Sequence, residues 1–319
     1  IMNYTSFLPK ILVCLLLLPV LSCNRKPATD GSLSVDVFRE LFADPPSEYR
    51  SAPLWDWNEK ITREGIDFQM REFKNAGIGG VFVHPRPGLI TEYLSEEWFD
   101  LFDYTVQKGK ELDMKVWIYD ENSYPSGFAG GHLPAEMPDS YSHGTALKLI
   151  VAEEMGDNMP GELEVVLKKT EIGFVDVSNS IDEETGKQGP YYIFEKIYPE
   201  KSPWYGGFTY VDLLYEGVTD KFLELTMTNG YERNIDDFGK TLPGIFTDEP
   251  NLEAAMPRGS MLRWTPDLWD AFQDRWGYDL KINLPSLVEE TGNWKKVRHD
   301  HYELILELFI DRWAKPWSK

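Results

Sequence analysis

Between Ser51 and Tyr119, apolar runs of strand length alternate with amphipathic helical runs. Residues 52–58 read as a short aromatic strand. Thr62, Glu64 and Gly65 lead into Ile66, Met70, Phe73 and Ala76, whose spacing predicts an amphipathic helix closed by Gly77. Residues 80–85 form a second apolar run. Ser95-Glu96-Glu97 then caps a longer helix through Trp98, Leu101, Phe102, Val106 and Leu112, and residues 114–119 give a third strand. Strands apolar on both sides, separated by helices, are the signature of parallel βα units.

The rhythm breaks after Gly131. Residues 141–210 hold alternating runs (146–151, 163–167, 174–177, 191–197) separated by turn formers, which predict an antiparallel β insertion after the third strand. A helix over 212–230, a fourth strand at 244–247 and helices near 266–276 and 295–313 follow. Four parallel strands are half of a TIM-like (β/α)8 barrel, and this is the expected α/β fold. A doubly wound sheet is the alternative, but its phosphate fingerprint is missing: Gly77-Ile78-Gly79-Gly80 precedes a strand, and Gly127 to Gly131 opens no clear helix. The expected organisation is a signal peptide at 1–22, a polar tether at 23–49, a partial barrel at 50–140 and 211–319, and the insertion at 141–210.

The first segment is a targeting signal by its pattern. Lys10 precedes an apolar run that ends in Val20-Leu21-Ser22-Cys23, which resembles a bacterial lipobox with Cys23 as the lipidated residue. The run is roughly a dozen residues long, short for a membrane span. Cys14 and Cys23 are the only cysteines, so the mature body rests on its core and not on disulfides. The expectation is an exported periplasmic or outer-membrane lipoprotein held to the membrane by its lipid. With 53 acidic against 32 basic residues and a net charge of -21, a nucleic-acid partner is excluded, since phosphate binding needs a basic stripe.

Residues just beyond the C-terminal ends of barrel strands line the active site. Here those ends read Trp55-Asp56-Trp57-Asn58, Val83-His84-Pro85-Arg86, Tyr119-Asp120-Glu121-Asn122 and Thr247-Asp248-Glu249-Pro250. Cleaving a glycosidic bond takes one carboxylic acid to protonate the leaving oxygen and one carboxylate to activate water or attack. Glu121 and Glu249 are the candidate pair. Asp120 and Asp248 would hold sugar hydroxyls or raise the pKa of the acid. Trp55, Trp57 and Tyr124 are either a sugar-stacking floor or core, and His84 and Arg86 either contact sugar or are structural; Asn58 joins the same candidate set. Trp204 and Tyr205 read as packing residues.

The segment Tyr119-Asp120-Glu121-Asn122-Ser123-Tyr124-Pro125-Ser126-Gly127, with Ala129-Gly130-Gly131, resembles a hallmark of family 106 glycoside hydrolases, the bacterial α-L-rhamnosidases. Trp55-Asp56-Trp57-Asn58, Phe246-Thr247-Asp248-Glu249-Pro250 and the stretch from Trp264-Thr265-Pro266 to Trp276-Gly277-Tyr278 fit the same pattern. The resemblance implies an inverting hydrolase of terminal α-L-rhamnose on polysaccharides, with Glu121 as general acid, Glu249 as general base and Ca2+ in sugar binding. It also implies a longer protein, so the chain is expected to be a truncated half-barrel. A non-catalytic glycan-binding lipoprotein and a retaining β-glycosidase on the same barrel are the alternative functions.

Overall fold

The computed structural model describes residues 34–155, 161–180, 189–256 and 262–318. The expected signal peptide and Cys23 lie outside the described residues. The chain divides into two compact units, one ending at Pro45 and one beginning at Pro46. In the first, helix α1 (Val35–Ala43) is capped by Ser34, whose hydroxyl accepts from the Val37 N–H at 3.2 Å. The sequence reads this stretch as tether; the spacing of Val35, Phe38 and Phe42 gives a helix instead, with the last two rings stacked at 6.2 Å.

The second unit opens with β1 (Leu54–Trp57), α2 (Arg63–Asn75), β2 (Gly80–Pro85), α3 (Glu96–Leu112) and β3 (Lys115–Tyr119). Helices α2 and α3 each start where a hydroxyl captures an orphan N–H: Thr62 accepts from Gly65 at 3.1 Å, and Ser95 from Trp98 at 3.2 Å. After α4 (His132–Glu136), strands β4 (Ala146–Ala152), β5 (Glu162–Thr170), β6 (Gly173–Asp176) and β7 (Tyr191–Ile197) follow. Then come α5 (Val218–Leu223), β8 (Ile245–Phe246), β9 (Leu262–Arg263), α6 (Leu268–Trp276), α7 (Pro285–Val288) and α8 (Trp294–Phe309).

The fold is mixed α/β. One sheet is parallel, in the order β1-β2-β3-β8, with Asp56 opposite His84, Val83 opposite Ile118 and Tyr119 opposite Phe246. It is open among the described residues, with β1 and β8 as its edges. Strand alternation sends Trp55, Trp57, Val81, Val83, Val116 and Ile118 into a core shared with Ile66, Met70, Trp98 and Phe102 of α2 and α3. The opposite face carries Leu54, Asp56, Phe82, His84, Trp117, Tyr119 and Phe246. There Phe82 stacks on Trp117 at 5.1 Å, while Leu54 and Phe246 are exposed.

The second sheet is antiparallel, in the order β6-β5-β7-β4-β9. Its first four strands fall where the sequence predicts the insertion. Strand β9, from far along the chain, pairs with the start of β4. Leu147, Val165 and Phe194 of this sheet share a core with Leu268, Phe272, Leu304 and Leu308. Helices α6 and α8, grouped with the barrel from sequence, therefore cover the antiparallel layer, because its apolar face has to be buried against something.

The predicted helix over 212–230 is also shortened. The buried Asp212 carboxylate accepts from the Leu214 N–H at 2.9 Å and pairs with Arg263, which holds the chain in a turn, and α5 begins only at Val218. A third core of Phe128, Leu133, Tyr210, Leu213, Phe222 and Trp313 packs against the loop that follows β3.

Candidate active site

The loop after β3 is organised around one side chain. Glu121 is fully buried. Its Oε2 accepts N–H bonds from Gly127 at 3.0 Å, Phe128 at 2.9 Å and Ala129 at 2.7 Å; its Oε1 accepts from Asn122 at 2.8 Å and Gly130 at 2.5 Å. Successive N–H groups converge this way when left-handed residues interrupt the chain. Here Gly127 (φ 141°), Ala129 (φ 51°) and Gly130 (φ 64°) supply them. Burial and the neighbouring Asp120 charge push the Glu121 carboxyl up, to about 8, against the pull of these donors. All five neighbours are donors, so the cage suits the ionised form and offers no acceptor to a protonated one.

Asp120 is buried beside it. Its Oδ1 accepts from the Ser126 hydroxyl at 2.5 Å and its Oδ2 from Thr247 at 2.7 Å. Burial pushes its carboxyl up to about 7, with the hydroxyl donors opposing. Ser126 also receives the Asp248 N–H at 2.8 Å and donates its own N–H to the Asp248 carbonyl at 2.7 Å. The ends of β3 and β8 are thus tied through Ser126, a contact that the sequence motif does not announce.

A polar row of Asp56, His84, Tyr119 and Asp248 crosses the face of the parallel sheet that points away from α2 and α3, exposed at Asp56, half-buried at Asp248 and buried at His84 and Tyr119. Asp56 Oδ1 is 3.4 Å from His84 Nδ1; the His84 ring stacks on Tyr119 at 3.6 Å; the Tyr119 hydroxyl donates to Asp248 Oδ2. The row follows from register, because Asp56 pairs with His84 and the residues before His84 and Tyr119 pair with each other. Burial and the Arg86 guanidinium hold His84 down, to about 4, so it is neutral in the working range. Burial and the bond to Asp248 push the Tyr119 phenol well above its usual value.

Glu249 stands beyond β8, exposed, with a φ of 45°. No side-chain hydrogen bond or ion pair holds its carboxylate among the described residues. The rim beside the row carries Arg86, Tyr124 and Trp204: the Arg86 guanidinium carbon lies 5.6 Å and 5.7 Å from the two ring centres.

The structure separates the predicted residues into three groups. Asp248, Glu249, Arg86 and Tyr124 lie at the open C-terminal ends of the strands. His84, Asp120 and Glu121 sit there too, but buried. Trp55 and Trp57 are core: they meet edge to face at 5.5 Å, and Trp57 meets Trp98 at 5.0 Å. A sugar-stacking floor of these two rings is therefore ruled out, since alternation turns them toward α2 and α3 while Asp56 takes the open face. Asn58 is exposed past the end of β1. Asp56, Tyr119 and Trp204 are additions; the first two join the row through the register between strands, which no pattern within one strand gives, and nothing local points to the third. Among the described residues no group of three or more His, Cys, Asp or Glu side chains could hold a metal ion.

No protein-family model and no curated protein matches the sequence. Among solved structures the chain is similar to a rhamnosidase from Novosphingobium sp. PP1Y, with a TM-score of 0.51 and 12% identity, over 86% of this chain and 45% of that one. At this identity the likeness is one of fold, and the chain spans less than half the length of that rhamnosidase.

Proposed function

We propose that this protein is a glycoside hydrolase that removes terminal α-L-rhamnose by an inverting mechanism. The observation that carries the reading is the row of Asp56, His84, Tyr119 and Asp248, with Glu249 beside it, at the C-terminal ends of parallel strands. The fold shared with a rhamnosidase and the motif around Glu121 and Glu249 support the substrate.

In this reading Glu249 is the general base: an exposed, unpaired carboxylate is free to orient a water. Glu121 is the acid that the motif resemblance names, but in its cage it has no path to a sugar oxygen, and it fixes residues 122–130 instead. The proton donor is then drawn from Asp56 or Asp248 on the open face. Export through the N-terminal segment, with a lipid on Cys23, belongs to the same proposal.

The test is hydrolysis of an aryl α-L-rhamnoside by the full-length protein, followed by proton NMR. Inversion predicts β-L-rhamnose as the first product. Glu249→Gln is expected to lower the rate by about 10²–10⁴-fold, the usual worth of acid–base catalysis; a wild-type rate in that variant would sink the reading. The cage around Glu121 favours one second reading, glycan binding without cleavage, which predicts rhamnoside binding and no product.

A further inference from the structure

Arg86 follows β2 and sits two positions from His84, at the rim of the row. Its guanidinium lies over two aromatic rings that meet edge to face at 5.3 Å, Tyr124 from the loop after β3 and Trp204 from the turn after β7. Trp204 is itself fixed, its Nε1 donating to the Tyr124 carbonyl at 2.5 Å. Tyr124 remains 40% exposed, so the clamp opens to solvent. A guanidinium seated on ring faces keeps its N–H edge available for a planar acceptor.

Five other arginines of this acidic chain are engaged with carboxylates, Arg39 with Asp36, Arg233 with Glu96, Asp100 and Asp103, Arg263 with Asp212, Arg275 with Glu307 and Arg312 with Asp267, while Arg63 and Arg298 each lie over a single ring, Tyr104 and Trp294, with no carboxylate partner among the described residues. Arg86 has no carboxylate hydrogen-bonded or ion-paired to it among the described residues. With 53 acidic residues in the sequence, a rim arginine held on rings and left without a counter-charge is configured for a charge that arrives with the ligand.

We infer that Arg86, clamped between Tyr124 and Trp204, is a subsite for the carboxylate of a uronic acid, so that the substrate class is a glycan carrying a uronate beside the sugar removed. The position of this subsite relative to the cleaved bond rests on the hydrolase reading; the binding of the uronate does not.

The test uses full-length protein and three free sugars, D-glucuronate, D-glucose and D-glucose 6-sulfate, titrated by NMR. D-Glucuronate is expected to bind at least about tenfold more tightly than D-glucose, the scale of a charge-assisted bidentate contact. Arg86→Gln should abolish that preference, Arg86→Lys should keep only part of it because the fork is lost, and Trp204→Ala should weaken it. Equal binding of D-glucuronate and D-glucose by the wild type, or a preference that survives Arg86→Gln, overturns the inference; tighter binding of the sulfate overturns the carboxylate assignment. Melting curves of each variant check folding, and Arg86→Lys decides if Arg86→Gln does not fold. Rhamnoside hydrolysis without uronate preference would remove this inference alone. Arg86-dependent uronate binding without hydrolysis would remove the hydrolase reading and leave the subsite standing.

Discussion

The ends of β3 and β8 carry the same dipeptide, Asp-Glu, and the structure treats the two copies in opposite ways. After β3 the chain turns through glycines and folds back, so that Glu121 is enclosed by five of its own backbone donors. After β8 the next residue is Pro250, which has no N–H to give, and Glu249 stays exposed. A carboxylate at the end of a parallel strand is thus a structural or a chemical group according to what the following six to nine residues do. The dipeptide does not decide it.

The largest expected effect separates the two glutamates by what each variant loses. Glu249→Gln should cost the rate given above while changing stability by less than about 0.5 kcal/mol, as for an unpaired surface group. Glu121→Ala should show the reverse order of cause and effect. It leaves five N–H groups without their acceptor in a buried loop, and a loss of about 3 kcal/mol or more in urea unfolding is expected. Equal stability of the two variants would break the contrast.

A smaller effect should come from the glycine that shapes the cage. Gly127 has a φ of 141°, and a Cβ there would lie 2.8 Å from Leu213 Cδ2 and 2.9 Å from the Tyr210 hydroxyl. Gly127→Ala is expected to destabilise by about 1–3 kcal/mol through this strain. It should also lower activity through loop displacement without altering the pH profile. A fully stable Gly127→Ala protein would show that the loop does not depend on this conformation.

A pH-dependent effect concerns the aspartate of the β3 pair. The Asp120 carboxyl is raised by burial to about 7, above its unfolded value near 3.8. Its contribution to stability is therefore full below about pH 4 and is lost as pH rises through about 7. Stability curves of wild type and Asp120→Asn should diverge across that interval, the wild type showing the extra downward slope. Parallel curves would mean that Ser126 and Thr247 keep Asp120 ionised throughout.

Much of this was legible in the chain, and the particular residues show why. The continuous apolar runs at 80–85 and 114–119 mark two strands, and Thr62 and Ser95 mark two helix starts, because these signals act within one element. Trp55 and Trp57 were ambiguous: a period of two says that they share a face but not which face the core takes. Asp56 pointed to the other side once that was settled. Trp204 lies 80 residues from Tyr124, and no local pattern places it at the rim.

The sequence by itself determined the strand and helix order from β1 to β3, the parallel pattern of those strands, the alternating runs of β4 to β7 and the strand ends where carboxylates collect, since each follows from short-range periodicity and capping. Only the tertiary structure decided that α6 and α8 cover the antiparallel layer, that Glu121 is enclosed while Glu249 is open, and that Asp56, His84, Tyr119 and Asp248 stand in one row. Those outcomes depend on sheet register and on backbone donors brought together across distant segments, and the free energy of such contacts is set by which groups meet rather than by the identity of either one.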